Sequence, residues 1–155
     1  MTEAILKNLP NTEINIYQKN RFPWMFIDFI SEIKPGVSAT GYKNFSYNES
    51  FLSTKNLLIN VPNFIVGESL EQMFLMSFMT LRECKGRKTN TISSNVTYLK
   101  EIQIGKTLHI QANLTSFSRG IAKGKAIGIV NNKIMAEAEF KVVIPDIMNN
   151  FIPSR

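Results

Sequence analysis

Side chains that carry chemistry are scarce in this chain: among 155 residues there is one cysteine, Cys84, and one histidine, His109. A lone cysteine excludes an intramolecular disulfide framework and points to a reducing, cytoplasmic home. A lone histidine leaves no Ser-His-Asp or Cys-His triad with a second candidate. With no His/Cys cluster either, neither a metal site nor a cofactor is expected. No apolar run is long enough to span a bilayer, so membrane insertion is not expected. Met1 to Pro10 mixes Glu3 and Lys7 with short apolar stretches and does not have the form of a signal peptide. Internal repeats, low-complexity tracts and long linkers are absent too. One domain over residues 1–155 is the expectation.

Acidic residues are also few. Eighteen Lys+Arg stand against twelve Asp+Glu, a formal charge of +6. Such an excess attracts nucleic acid, an anionic membrane or an acidic carrier protein. No stretch interleaves basic residues with aromatics at regular spacing, so nucleic acid is the weakest of the three.

What is abundant is patterned apolar sequence. Met25 to Lys34 reads as a strand, Pro35-Gly36 as a turn and Val37 to Phe45 as its return. After an irregular stretch from Asn48 to Val61, Pro62 suits the first turn of a helix, with Asn60 or Asn63 as its cap. The run Phe64 to Arg82 is apolar on nearly every side, so the fold must wrap it. It is followed by Lys85-Gly86-Arg87-Lys88, basic charge that suits a helix C-terminus. Ile92 to Gln103, Thr107 to Phe117, Ile121 to Val130 and Lys133 to Ile144 read as strands. Between them lie Gly105, Arg119-Gly120 and Asn131-Asn132, the last a pair suited to a two-residue hairpin. An antiparallel sheet curled around one long apolar helix buries that helix economically. This is the α+β arrangement of the hotdog fold.

Several segments, in order, are similar to those of the bacterial (3R)-hydroxyacyl-[acyl-carrier-protein] dehydratases. They are Arg21-Phe22-Pro23-Trp24-Met25-Phe26-Ile27-Asp28, Lys34-Pro35-Gly36, Asn48-Glu49-Ser50-Phe51 and Val66-Gly67-Glu68-Ser69-Leu70-Glu71-Gln72. Gly105-Lys106-Thr107-Leu108, Arg119-Gly120-Ile121-Ala122-Lys123 and Ala136-Glu137-Ala138-Glu139 complete the set. The resemblance covers about residues 14 to 144, leaving 145–155 as a short extension. It implies that Glu68 is catalytic and that the partner is an acyl carrier protein. One departure stands out. Where the family carries Gly-His-Phe-Pro, with the histidine as its general acid–base, this chain reads Ser53-Thr54-Lys55-Asn56. Thr54 or Lys55 occupies the histidine's position, and neither titrates near neutral pH as an imidazole does. His109 falls out of phase with the apolar face Leu108, Ile110, Ala112, Leu114, and reads as a surface residue.

A carboxylate on an apolar helix costs free energy unless it is neutralised or hydrogen-bonded, which makes Glu68 the candidate acid. Gly67, or a neighbouring amide at the helix start, is the candidate donor to the thioester carbonyl. Lys100, Arg119 and Lys123 are candidates for docking an acidic carrier. In the family the histidine comes from one subunit and the carboxylate from its partner. A homodimer, or a heterodimer in which Glu68 serves a histidine-bearing homologue, follows from the resemblance. Aryl-polyene pathways look to contain such partners, with a similar Pro-to-Glu spacing, here Pro62 to Glu68. The expected role is a hydro-lyase subunit for 3-hydroxyacyl chains in fatty-acid or polyene-type biosynthesis, impaired on its own. Alternatives are an acyl thioesterase using Glu68, or a non-catalytic module that binds acyl chains or carrier protein.

Overall fold

The structure is a computed structural model that describes residues 3–49 and 60–153. Seven antiparallel strands form one sheet. They are β1 (Leu6–Pro10), β2 (Phe29–Lys34), β3 (Ser38–Asn44), β4 (Asn90–Tyr98), β5 (Thr107–Ser118), β6 (Ile121–Val130) and β7 (Lys133–Val143). Three helices accompany them: α1 (Asn11–Ile14), α2 (Asn63–Met79) and α3 (Pro145–Met148). The order across the sheet is β1-β2-β3-β5-β6-β7-β4. The last four strands are consecutive in sequence, but β4 lies at the far edge beside β7 while β5 pairs with β3.

Helix α2 buries thirteen of its seventeen residues, including Leu70, Met73, Phe74 and Phe78. With no broad polar face it needs cover on several sides, and β3, β5, β6 and β7 supply much of it. Its buried hydroxyls bond within the helix: Ser69 donates to the Ile65 carbonyl at 2.8 Å and Ser77 to that of Phe74 at 2.7 Å. Alternation on the strands faces the core as the sequence predicts. Leu108, Ile110 and Ala112 of β5 are buried and His109 between them is exposed. Asn131 and Asn132 both take positive φ, 49° and 61°, in the β6–β7 hairpin.

Three boundaries differ from expectation by three residues or more, and two elements ahead of β2 are new. The strand predicted from Met25 begins at Phe29, because residues 21–28 cross over the head of α2 instead of pairing. The helix ends at Met79, before Arg82. The strand predicted to reach Gln103 stops at Tyr98, where the Leu99 and Lys100 amides both donate to the Met135 carbonyl and turn the chain. β1 and α1 were not anticipated. β1 is short and chemically mixed, and its pairing to β2 is what makes it a strand.

Candidate active site

The N-terminal half of α2, the crossing segment 21–28 and the end of β4 meet at one end of the sheet. Glu68 lies there, half-buried. Its Oε1 accepts a 2.8 Å hydrogen bond from Gln72 Nε2, one turn along the helix. Gln72, fully buried, also donates to the Trp24 carbonyl at 3.2 Å, and its own Oε1 accepts from the Phe26 amide at 2.8 Å. Both ends of that amide are therefore occupied, and Glu68 is held against a fixed backbone segment. No described residue donates to Glu68 Oε2. Trp24 stacks on Phe64 with centroids 6.4 Å apart. Both rings stay exposed, at 47% and 58%, giving the site an apolar rim.

Gly67 has a different role from the one its sequence position invites. It is the fifth residue of α2, so its amide belongs to the helical ladder. The first amides bonded in that ladder's direction are those of Ile65 and Val66, to the Pro62 carbonyl; the amides that precede them are those of Asn63 and Phe64. What Gly67 provides is room for one side chain: a Cβ there would lie 2.6 Å from Tyr98 Oη, whereas Val96 Cγ2 at 3.5 Å would be an ordinary contact, so glycine lets the Tyr98 phenol rest against the helix.

Two further groups take their surroundings from residues far away in the chain. Glu71 follows Glu68 by one turn and accepts a hydrogen bond from the Thr91 hydroxyl of β4. Burial pushes its carboxyl above the usual range; the Thr91 bond opposes this and the Glu68 charge adds to it. Lys43, 4% exposed, pairs with Glu49 at 2.6 Å and Asp28 at 3.3 Å, and donates to the Asn44 carbonyl at 3.0 Å. Asp28 also accepts from the Asn44 amide at 2.6 Å. This buried cluster ties the crossing segment to the end of β3. The quoted Asp28 and Asn48-Glu49 were its visible parts.

The basic candidates do not form one patch. Lys100 follows β4 at the Glu68 end beside Met135, whereas Arg119 lies in the β5–β6 turn at the opposite end beside Ile144, about 30 Å away at 3.3 Å per residue. Lys123 is exposed on β6. Lys100 instead shares a cavity of about 440 Å³ with Lys106, Lys133, Asn60 and Glu101. His109 stands on β5 against Tyr42, ring centroids 6.1 Å apart. Thr54 and Lys55 lie outside the described residues. Among the described residues no group of three His, Cys, Asp or Glu is arranged to hold a metal ion. No helix is long and apolar enough to cross a membrane.

An antiparallel sheet folded about one long buried helix, with a pinned carboxylate near the helix head, defines a hotdog-fold protein. The dehydratase heterocomplex ApeI:P from Xenorhabdus doucetiae superposes with a TM-score of 0.74 over 94% of this chain and 99% of that one. Cj0977, a sigma28-regulated virulence protein from Campylobacter jejuni, gives 0.68 over 85% and 94%. At 12% and 15% identity these likenesses speak for the fold. No family model matches the chain. Its sequence is 31% identical over 140 residues to the 3-hydroxyacyl-[acyl-carrier-protein] dehydratase FabZ of Clostridium botulinum strain Loch Maree, covering 89% of this chain and 97% of the relative. The same enzyme of Acetivibrio thermocellus is 29% identical over 142 residues, 89% and 96% of the two chains. The chain belongs to the FabZ 3-hydroxyacyl-[acyl-carrier-protein] dehydratase family.

Proposed function

We propose that this protein is a dehydratase-family subunit acting on 3-hydroxyacyl chains carried by acyl carrier protein, in fatty-acid or polyene-type biosynthesis in the cytoplasm. It contributes Glu68 and lacks the histidine that supplies the family's base. The observation that carries this is the pinning of Glu68: a half-buried carboxyl with one oxygen fixed by Gln72, on the helix turn that follows the exposed Phe64. Dehydration removes an α-proton and expels the 3-hydroxyl as water. Glu68 as general acid toward the departing hydroxyl is suited to the second task. The first needs a base, and Thr54, Lys55 and His109, exposed on the face of β5 turned from the core, do not supply one. A histidine-bearing homologue paired along the open edge of β4 would bring its base to this end of the sheet. The cavity at Lys100, Lys106 and Lys133 offers an acidic carrier a cationic landing point on the same end.

The test is co-purification with a histidine-bearing homologue, followed by turnover of a 3-hydroxyacyl carrier substrate. The chain alone is expected to run about 10²–10⁴ slower than the mixed assembly. Glu68→Gln keeps shape and hydrogen bonding while removing the ionisable group, and is expected to lower the mixed rate by about a hundredfold. Full turnover by the chain alone would overturn the missing base. Unchanged turnover in an assembled Glu68→Gln variant would leave a carrier-binding module as the better account, and release of free acid would favour the thioesterase.

A further inference from the structure

Abstraction of an α-proton puts negative charge on the thioester carbonyl oxygen, and a donor aimed at that oxygen is worth a large share of the barrier. Gly67 does not serve, since its amide is spent on the helix. The group that stands over Gly67 is the phenol of Tyr98. Its oxygen lies 2.6 Å from where a Cβ on Gly67 would be, directly beside the residue that precedes Glu68 in the helix. β4 delivers it there: Val96 and Tyr98, two apart on the strand, both face the helix, and Val96 Cγ2 lies 3.5 Å from the same point. The residue is 37% exposed, on the uncovered edge strand of the sheet. No described residue shares a hydrogen bond with its hydroxyl, whereas Gln72, Glu71 and one oxygen of Glu68 on the same helix are engaged. Burial pushes the phenol above its ordinary range, which keeps its proton in place at neutral pH.

We propose that Tyr98 is a catalytic residue of the Glu68 site, its hydroxyl donating a hydrogen bond to the thioester carbonyl oxygen of the bound acyl chain. The inference rests on the dehydratase function proposed above and adds the group that polarises the carbonyl. The phenol keeps its proton throughout. Charge accumulates on the carbonyl oxygen as the α-proton leaves to the base, and returns to form the carbon–carbon double bond as the hydroxyl departs with the proton of Glu68. Glycine at position 67 is then part of the site, because it sets how deeply the phenol sits.

Tyr98→Phe removes one oxygen and leaves the ring. The experiment measures turnover of a 3-hydroxyacyl N-acetylcysteamine thioester by the chain alone and mixed with a histidine-bearing homologue. In parallel, the infrared carbonyl stretch of a ¹³C-labelled thioester is recorded bound to the slow Glu68→Gln variant, with and without Tyr98→Phe. The expected result is a loss of about a hundredfold in kcat with assembly unchanged, and a bound carbonyl stretch that moves back toward its value in water. Gly67→Ala, which drives the phenol off its seat, should give the same two changes. Turnover in Tyr98→Phe within twofold of the parent, with the stretch unmoved, would overturn the proposal while leaving the dehydratase function standing. Absence of turnover by every assembly would instead bring down that function and this inference together.

Discussion

Glu71 shows how a single carboxyl can be recognised as chemically distinct only once its surroundings are known. In the sequence it is one of three polar residues on an apolar helix, together with Glu68 and Gln72. In the fold it sits under β4, and burial with the neighbouring Glu68 charge raises it above 4.5, the Thr91 hydroxyl notwithstanding. A carboxyl whose folded pKa exceeds its unfolded one binds more protons in the native state across the range just above 4.5. Its contribution to stability is therefore full below that pH and lost as pH rises through the raised folded value. Glu71→Gln abolishes the titration and keeps an acceptor for Thr91. By calorimetry, the variant should melt at or above the parent at pH 7, with the advantage vanishing near pH 4. An equal or larger deficit at pH 7 would show that the Thr91 bond outweighs burial. Glu68 and its turn were legible because the residues are contiguous. Tyr98, Lys43 and Thr91 were not, because their significance comes from partners far away in the chain.

Helix α2 was the most legible element, since a run apolar on every side has few places to go in a small fold. Its boundaries were less so. Apolar residues continue past Met79, and only the turn at Thr80 shows that the helix has stopped. Strands β5, β6 and β7 followed from alternation and from Arg119-Gly120 and Asn131-Asn132, which are local signals. The neighbour relations of β4 and β3 are non-local and left no local trace. Packing at the middle of α2 sets a testable scale for what the element contributes. Phe74 is fully buried, with Phe78 and Phe140 at ring separations of 5.4 and 5.6 Å. Beside Phe140, its partner across the β6–β7 pair, a Cβ on Gly124 would fall 2.3 Å from the Phe74 ring. Phe74→Ala should therefore leave a cavity that the surrounding rings fill poorly, costing about 3–5 kcal/mol. Urea denaturation should show it as a lower midpoint at unchanged slope. A loss below about 1 kcal/mol would mean that the sheet collapses onto the gap.

The two edges of the sheet are built differently, and that difference governs the molecule as a whole. β1 is five residues long, carries Lys7 and ends in Pro10, features that discourage pairing with another chain. β4 is nine residues, Asn-Thr-Ile-Ser-Ser-Asn-Val-Thr-Tyr, with no charge and no proline, and all but Val96 are exposed. A strand of this kind is a template for a second strand. Light scattering should find at least a dimer at micromolar concentration, and a monomer would contradict the edge argument. In a two-fold pairing each β4 meets its own copy, so Asn95→Lys with Thr97→Lys would set like charges near the axis and shift the protein toward monomer. The same layout has a consequence for synthesis. Among the described strands β4 pairs with β7 alone, and β7 is the last of the seven to be synthesised. At roughly 5–20 residues per second, an uncharged adhesive strand and the flank of an apolar helix wait for seconds before their cover arrives. The nascent chain is thus most vulnerable late, with most of its sheet already made, and whatever shields it must hold on until the final hairpin closes.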